Sequence, residues 1–318
     1  LIPWALKTGN MTLKPNSVVQ SVLYDEAQQK ATGVRVIDSK TKETTDYFAK
    51  VVFVTAATLN TNLILLNSKS NRFPNGLGND NGLMGKYIAF HNYRATINAQ
   101  CEGFPDKTIE GAKPTSHYVP RFRNIHKQET DFLRGYAAGF GASPARETDL
   151  RGFGATLKKQ LLETKETGVW NVNSHMMGET IPKESNQVTL DKEKVDSWGI
   201  PLLNINVDYD ENDEKMIQDF FEQFTDMFKK AGFVNIKTND NKRRPGNDIH
   251  EMGGVRMGKD PKTSLLNSWN QLHECKNVFV TDGACMTSTS TQNPSLTFMA
   301  ITARAANYAI KQMKKGLI

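Results

Sequence analysis

The sequence contains no GxGxxG, and no strand, glycine turn and helix of that spacing occur together. A nicotinamide-binding unit recognised by its usual phosphate turn is therefore excluded. Cysteine is scarce. Cys101, Cys275 and Cys285 make no CxxC and no CxxCH, which excludes a disulfide framework, a cysteine-rich zinc site and a c-type haem of the chain's own. The six histidines show no HExxH or HxH spacing, so no metal is expected. No apolar run approaches the ~18 residues of a membrane span. An excess of one charge is also missing, since 40 basic and 34 acidic residues leave only +6. The basic clusters at 239–248 and 311–316 have no interleaved aromatics and read as solvated faces, not a nucleic-acid surface. The opening LIPWALKTGN has neither Met nor a leader and reads as a segment cut from something longer.

What is present points to a folded α/β chain. With 318 residues there is room for one large domain or two ordinary ones. SVVQSVLYD (17–25) and GVRVIDS (33–39) alternate like strands, the second after a Thr-Gly turn. Val51 to Val54 is a continuous apolar run expected to be buried on both faces, and Leu59 to Leu66 follows as a short helix. The stretch 73–93 holds four glycines and reads as a long, tightly turned loop. The middle region, from about residue 94 to 240, changes character. RATINAQ, QVTLD and PLLNINVDYD read as strands of an antiparallel sheet, and GATLKKQLLETKE as a helix. A second helix carries Asp213 near its start and Met216, Phe220, Phe221, Phe224 and Phe228 as a core stripe.

The last part returns to α/β. NVFVTDG (277–283) reads as a strand and turn, followed by a helix with Asn293 as N-cap and Pro294 at its first position. Leu296, Met299, Ala300, Ala303, Ala306 and Ile310 form the expected buried stripe of that helix. Asp282 can accept hydrogen bonds at the strand end, and the small residues 287–291 permit close approach to the backbone. The helix N-terminus behind them favours something flat and anionic. His250 precedes Gly253-Gly254 and Arg256-Met257-Gly258, and imidazole can take a proton near neutral pH.

HEMGGVRMG, the segment from Asn277 to Ile310 and VVFVTAATLNTNLILLNS together resemble the carboxy-terminal part of the glucose–methanol–choline (GMC) family of flavin oxidoreductases. The stretch from Pro15 through the Ala56-Ala57 turn to His91 is similar too, and the middle only loosely so. Asn at 293, where other branches have His, resembles pyranose and cholesterol oxidases and the bacterial gluconate and glycoside dehydrogenase large subunits. The resemblance implies a partial FAD/NAD(P)-binding, Rossmann-like domain lacking its GxGxxG unit, of α/β class, at 1–92 and 241–318. An α+β substrate domain with an antiparallel sheet would fill 93–240.

The resemblance also implies FAD as cofactor and oxidation of an alcohol, on a sugar or glycoside. His250 would take the hydroxyl proton and Asn293 would orient the substrate oxygen. Asp282 and Gly283 would hold the ribityl or pyrophosphate part. The backbone of Asn293, Pro294 and Ser295 would stabilise negative charge on the flavin. Val19 would meet the adenine, and Ala56 and Ala57 the dinucleotide. A small dehydrogenase subunit or other electron acceptor is the implied partner. Three departures stand out. Ala57 replaces a usual Gly, Ala89-Phe90-His91 replaces Met-Asp-His, and the Rossmann segment is not in this sequence. The 318 residues alone are therefore expected to bind FAD weakly or not at all. The alternative is a non-catalytic binding module that keeps the fold without the cofactor.

Overall fold

The computed structural model describes residues 1–105, 107, 117–144, 152–162, 168–245 and 249–318. In chain order the elements are α1 (Ile2–Lys7), β1 (Ser17–Asp25), β2 (Lys30–Asp38), β3 (Thr44–Phe48), β4 (Val52–Val54), α2 (Thr58–Asn67), β5 (His91–Asn92), β6 (Ala95–Cys101) and β7 (His117–Val119). There follow β8 (Tyr136–Pro144), α3 (Ala155–Leu162), β9 (Trp170–Glu179), β10 (Gln187–Val195), β11 (Pro201–Asn206), α4 (Glu211–Lys230), β12 (Val234–Asp240), β13 (Val278–Val280) and α5 (Ser295–Lys314). The tail of the expected GATLKKQLLETKE helix beyond Leu162 and the end of the basic cluster at 246–248 lie outside the described residues.

Two cores organise the chain. One gathers β1, β2, β4, α2, the 73–84 loop and the segment from Val255 to Cys285. Its parallel pair sets β13 beside β4, with Val278, Phe279 and Val280 opposite Val52, Phe53 and Val54. Residues more than 200 positions apart thus share one sheet. Asn277 fastens them, since its amide donates to the carbonyls of Ala31 (2.6 Å) and Lys50 (2.9 Å). The second core lies between α4 and the six-stranded antiparallel sheet β12-β6-β9-β8-β7, to which β5 adds through β9. Met216, Phe220, Phe224 and Phe228 are buried at helical spacing, each such burial contributing roughly 1.5–3 kcal/mol. Their partners are Tyr136 and Phe140 of β8, with ring centroids 5.7 Å (Tyr136–Phe220) and 5.9 Å (Phe140–Phe228) apart. Phe221 flanks this stripe at half burial.

Several expectations are corrected. Thr32 and Gly33 lie inside β2, and the turn falls at 26–29. There Gly33 passes so close to Tyr47 that a Cβ would sit 2.0 Å from its carbonyl oxygen. Val51 to Val54 is not buried on both faces, because Phe53 points outward and stacks on Phe279 at 5.0 Å. QVTLD and PLLNINVDYD do not join the strand RATINAQ. They form their own hairpin, β10–β11, with Leu190 and Leu203 on the first core. The antiparallel sheet around β6 is completed instead by β7, β8, β9 and β12, of which β8 and β9 carry glycine, alanine, serine and asparagine where β-branched residues would be expected. The last helix begins at Ser295 with Pro294 as N-cap, and no side chain caps it. Asn293 is therefore not its N-cap. Its buried face is also rotated from the expected one. Ala305 and Ala309 pack on Phe279, while Leu296, Met299 and Ile310 are at least half exposed.

The start of α4 is fixed by a reciprocal cap: Asp210 accepts from the backbone of Asn212 and Asp213, and Asp213 accepts from the backbone of Asp210. Asp213 is nearly fully buried, and its second carboxylate oxygen has no partner. Burial pushes its pKa up to about 7, from 3.8 for a free side chain. A carboxyl raised in the folded state stabilises below the unfolded pKa and loses that contribution as pH rises to the folded one. Asp213→Asn keeps the capping oxygen and removes the ionisation. Its stability by urea unfolding should match wild type near pH 4 and exceed it by a few kcal/mol above pH 7. A gap independent of pH would show that Asp213 is ionised throughout.

Candidate functional site

The site is assembled by an antiparallel bridge outside the main sheets. The backbones of Ala89 and Met252 exchange both hydrogen bonds at 2.8 Å. Counting two residues onward from Ala89 and two back from Met252 brings His91 opposite His250. Their Nδ1 atoms are 3.3 Å apart and their rings meet edge-on at 4.9 Å. His91 is fully buried and lies in register with Glu179 at the end of β9. Tyr93 stacks on His91, and His175 of β9 stacks on Tyr93. Burial, then the neighbouring His250, holds the pKa of His91 down to about 4, against an ordinary 6.5. Burial alone lowers that of His250. Both are neutral bases at pH 7.

The glycine pair after His250 is required by contact. A Cβ at Gly254 would lie 2.2 Å from the Asn62 amide, and Gly85 N–H donates to the Gly254 carbonyl at 2.8 Å. From there Gly253, Val255 and Met257 donate in turn to the carbonyls of Gly283, Ala284 and Cys285, each at 3.0 Å. Gly283 is the meeting point. A Cβ on it would be 2.3 Å from Thr58 Oγ1, 2.6 Å from the Glu251 carbonyl and 3.5 Å from the Phe298 ring. The start of α2, the His250 segment and the first turn of α5 therefore converge on one residue.

Each expected site residue can be placed against this frame. Asp282 is buried. Its Oδ1 accepts from Ala284 N–H at 3.0 Å and its Oδ2 from Thr61 Oγ1 at 2.5 Å. Burial raises its pKa, opposed by the Thr61 bond. Oδ1 thus closes the turn on itself, and Oδ2 ties it to α2. Ala56 N–H is also taken by Thr61 Oγ1, at 3.0 Å. Ala57 is exposed and starts α2 with φ +67° and ψ 155°, a conformation suited to glycine. Val19 sits in β1 at the edge of the first core, beside a break in register before Ser21. Pro294 is buried, whereas Asn293 and Ser295 are exposed. No hydrogen bond joins Asn293 to His250 among the described residues.

The loop from Met286 to Gln292 is held over the six-stranded sheet. Ser288 hydroxyl donates to Glu179, whose buried carboxylate also lies 3.6 Å from Arg121 and 3.7 Å from Arg134. Gln292 donates to Tyr118 Oη at 3.1 Å, and Tyr118 donates to the Thr291 carbonyl at 3.4 Å. Beneath this loop, the sheet face turned away from α4 is polar. Asn98 faces Asn173, Gln100 faces Asn171 and Thr96 faces His175, with Lys237 at the edge. Asn98, Asn171 and Asn173 are exposed. Gly139 leaves room for the His175 ring, which a Cβ would meet at 2.2 Å. Sequence reasoning missed Glu179, Ser288, Tyr93, His175 and the role of His91 opposite His250. Only His91 had a signal, its place in the resemblance.

These residues fit part of a flavin nucleotide. The N-termini of α2 and α5 both lack a side-chain cap and both abut Gly283. Their free N–H groups and positive dipole ends suit a flat anionic group. With no glycine-rich phosphate turn in the sequence, these residues account for part of FAD only. The strain at Ala57 gives a direct test. Ala57→Gly should raise the midpoint of urea unfolding, a net gain of about 1 kcal/mol after the extra unfolded-state entropy of glycine. A lowered midpoint would mean that the backbone at 57 is relaxed.

Comparison with known proteins agrees with this architecture. Residues 182–302 match the family model described as GMC oxidoreductase. The chain is 33% identical over 298 residues to 2-methyl-1,2-propanediol dehydrogenase of Mycolicibacterium austroafricanum, covering 88% of this chain and 51% of that protein. It is 26% identical to the fructose dehydrogenase large subunit of Gluconobacter japonicus, covering 98% of this chain and 56% of that one. It therefore spans about half the length of each. Among solved structures, formate oxidase of Aspergillus oryzae superposes with a TM-score of 0.66 at 14% identity, over 98% of this chain and 62% of that one. Residues 182–302 are a carboxy-terminal domain of the GMC oxidoreductase family, and the chain around them shares that family's fold.

Proposed function

We propose that this chain forms the catalytic part of a FAD-dependent oxidoreductase acting on a CH–OH group. The observation that carries the reading is the pairing of His250 with His91 beside the point where α2, Gly283 and α5 meet. In this reading residues 1–92 and 241–318 form the cofactor unit and 93–240 the substrate unit; the two cores follow that division except at the β10–β11 hairpin, which packs on the first core. His250 accepts the hydroxyl proton of the substrate. Its burial-lowered pKa keeps it unprotonated at neutral pH, so turnover falls as acidification protonates it. Asn293 holds the substrate oxygen, and its exposed carboxamide offers both a donor and an acceptor. FAD, when bound, supplies the acceptor for the hydride leaving the same carbon. Asp282 fixes the turn that presents Gly283, through its bonds to Ala284 and Thr61.

The substrate is a sugar or glycoside in this reading. Asn98, Asn171 and Asn173 line the open sheet face, and carboxamides pair with neighbouring hydroxyls because each can donate and accept. The partner is an electron-accepting subunit, in keeping with a relative that is itself a large subunit.

The test uses the flavin-loaded protein that carries this chain. His250→Asn and Asn293→Ala should each lower kcat by about 10²–10⁴-fold while flavin absorbance persists. Unchanged turnover in both would remove them from the mechanism. Asn173→Ala should lower kcat/KM for a sugar by about tenfold and leave a short alcohol unaffected, a lost hydrogen bond being worth about 1–1.5 kcal/mol. Equal losses on both substrates would move the sugar contact elsewhere.

A further inference from the structure

We infer that Glu179 is a positioning residue for Asn293: from the end of β9 it grips Ser288 and so sets the loop that runs into Asn293. The inference rests on the reading of Asn293 as the group that holds the substrate oxygen. A residue with that task needs a fixed place, because a misplacement of about 1 Å costs on the order of 10²-fold in rate. Local structure fixes little of it. α5 begins behind Asn293 at Ser295 with no side-chain cap, and its first turn leaves Leu296 and Met299 in water. The loop from Met286 to Gln292 is therefore held from outside.

Among the described residues, the loop's side chains reach outside it at two places. Ser288 hydroxyl donates to Glu179, and the Gln292 amide donates to Tyr118 Oη at 3.1 Å. The bonds from Ser290 to Gln292, at 3.0 Å, and from Thr289 to the Ser290 carbonyl, at 3.2 Å, stay within the loop. Tyr118 and Gln292 are both exposed, so water competes for their contact. Glu179 is 2% exposed, and a hydroxyl bond to a carboxylate in a dry place is the stronger of the two anchors.

The sheet is built to hold that carboxylate. Burying one is costly unless opposite charge and hydrogen bonds compensate it. Arg121 Nη1 lies 3.6 Å from its Oε2 and Arg134 Nη1 lies 3.7 Å from its Oε1. Arg121 is itself fixed, with Nε donating to the Arg123 carbonyl at 3.0 Å and Nη2 to the Asn124 carbonyl at 2.8 Å. Gly135 makes room for it, since a Cβ there would lie 2.8 Å from Arg121 Nε. The Gly135 carbonyl in turn accepts from Glu179 N–H at 3.1 Å. Glu179 and His91 stand directly opposite in β9 and β5, so their side chains rise from the same face. One residue thus meets both halves of the proposed site. Its backbone pairs with the strand of His91, and its side chain holds the loop of Asn293. Ser288 and the two guanidinium groups occupy its oxygens, so its part is to place other groups rather than to take the substrate proton.

The experiment uses the flavin-loaded protein that carries this chain. Ser288→Ala removes the grip and leaves the buried carboxylate in place. It should lower kcat about tenfold to a hundredfold with KM little changed, and Ser288→Thr, which keeps the hydroxyl, should recover most of it. Added to Asn293→Ala, the Ser288→Ala change should cost less than about twofold further, because the group it acts through is already gone. A full loss in that background would overturn the proposal. So would unchanged kcat in Ser288→Ala beside a slow Asn293→Ala. Unchanged kcat in both would remove the reading of Asn293, and this proposal with it. Glu179→Met, which fills the place without an acceptor oxygen, should repeat the Ser288→Ala loss and add nothing to it in the double variant. Multiplied losses would show that Glu179 acts by another route. If Glu179→Met does not fold, amide hydrogen exchange decides. Ser288→Ala should then speed exchange across 286–292 by about tenfold or more and leave 170–179 at wild-type rates. Unchanged exchange in the loop would overturn the proposal.

Discussion

The antiparallel bridge between Ala89 and Met252 is the constraint on which the site depends. It joins a segment that ends the glycine-rich loop to one that begins the last fifth or so of the chain. Its register, not any property of the histidines, sets His91 against His250. A slip of one residue would turn every side chain to the other side and separate the rings. The bridge is in turn braced on both sides. β5 pairs with β9, and the backbone from Gly253 to Met257 is laddered onto residues 283–285. The same backbone that places the base therefore also places the turn at Gly283.

Four of the twelve described non-glycine residues with left-handed φ stand around this construction. Ala57, Tyr87, His250 and Ser290 all have φ between 56° and 69°. Ala57 starts α2, Tyr87 and His250 each lie two residues from the Ala89–Met252 bridge, and Ser290 is in the loop tied to Glu179 through Ser288. Such conformations persist only where neighbouring contacts over-determine them, and they concentrate at functional sites. The converging glycines relieve crowding at the same junctions, and the alanine at 57 accepts strain where a glycine would not.

What could be read from the sequence followed from pattern. The aromatic stripe of α4, the strand β1 and the small-residue turn into α2 showed their pattern plainly, β4 was found but not its one-sided burial, and the histidine beside its glycine pair was visible as chemistry. The six-stranded sheet, apart from β6, was not. β8 reads YAAGFGASP and β9 reads WNVNSHMMGE, and neither shows the β-branched alternation of a strand. Gly139 is there to admit the His175 ring, a demand from a neighbouring strand that a local window cannot see. The pairing of His91 with His250 was hidden for the same reason, because it belongs to register across 159 positions. The face of α5 was misjudged because two opposite sides of that helix are apolar, and only packing on Phe279 selects Ala305 and Ala309.

That second side of α5 has a consequence for handling the polypeptide. Leu296, Met299, Ile310 and Met313 stand in water along a helix of 20 residues. Contiguous oily surface of this kind attracts other oily surface. Colloidal behaviour of the isolated chain will therefore follow this ridge more than the modest positive charge. Mild detergent, rather than added salt, is the natural condition for keeping it dispersed, since salting-out ions strengthen such association.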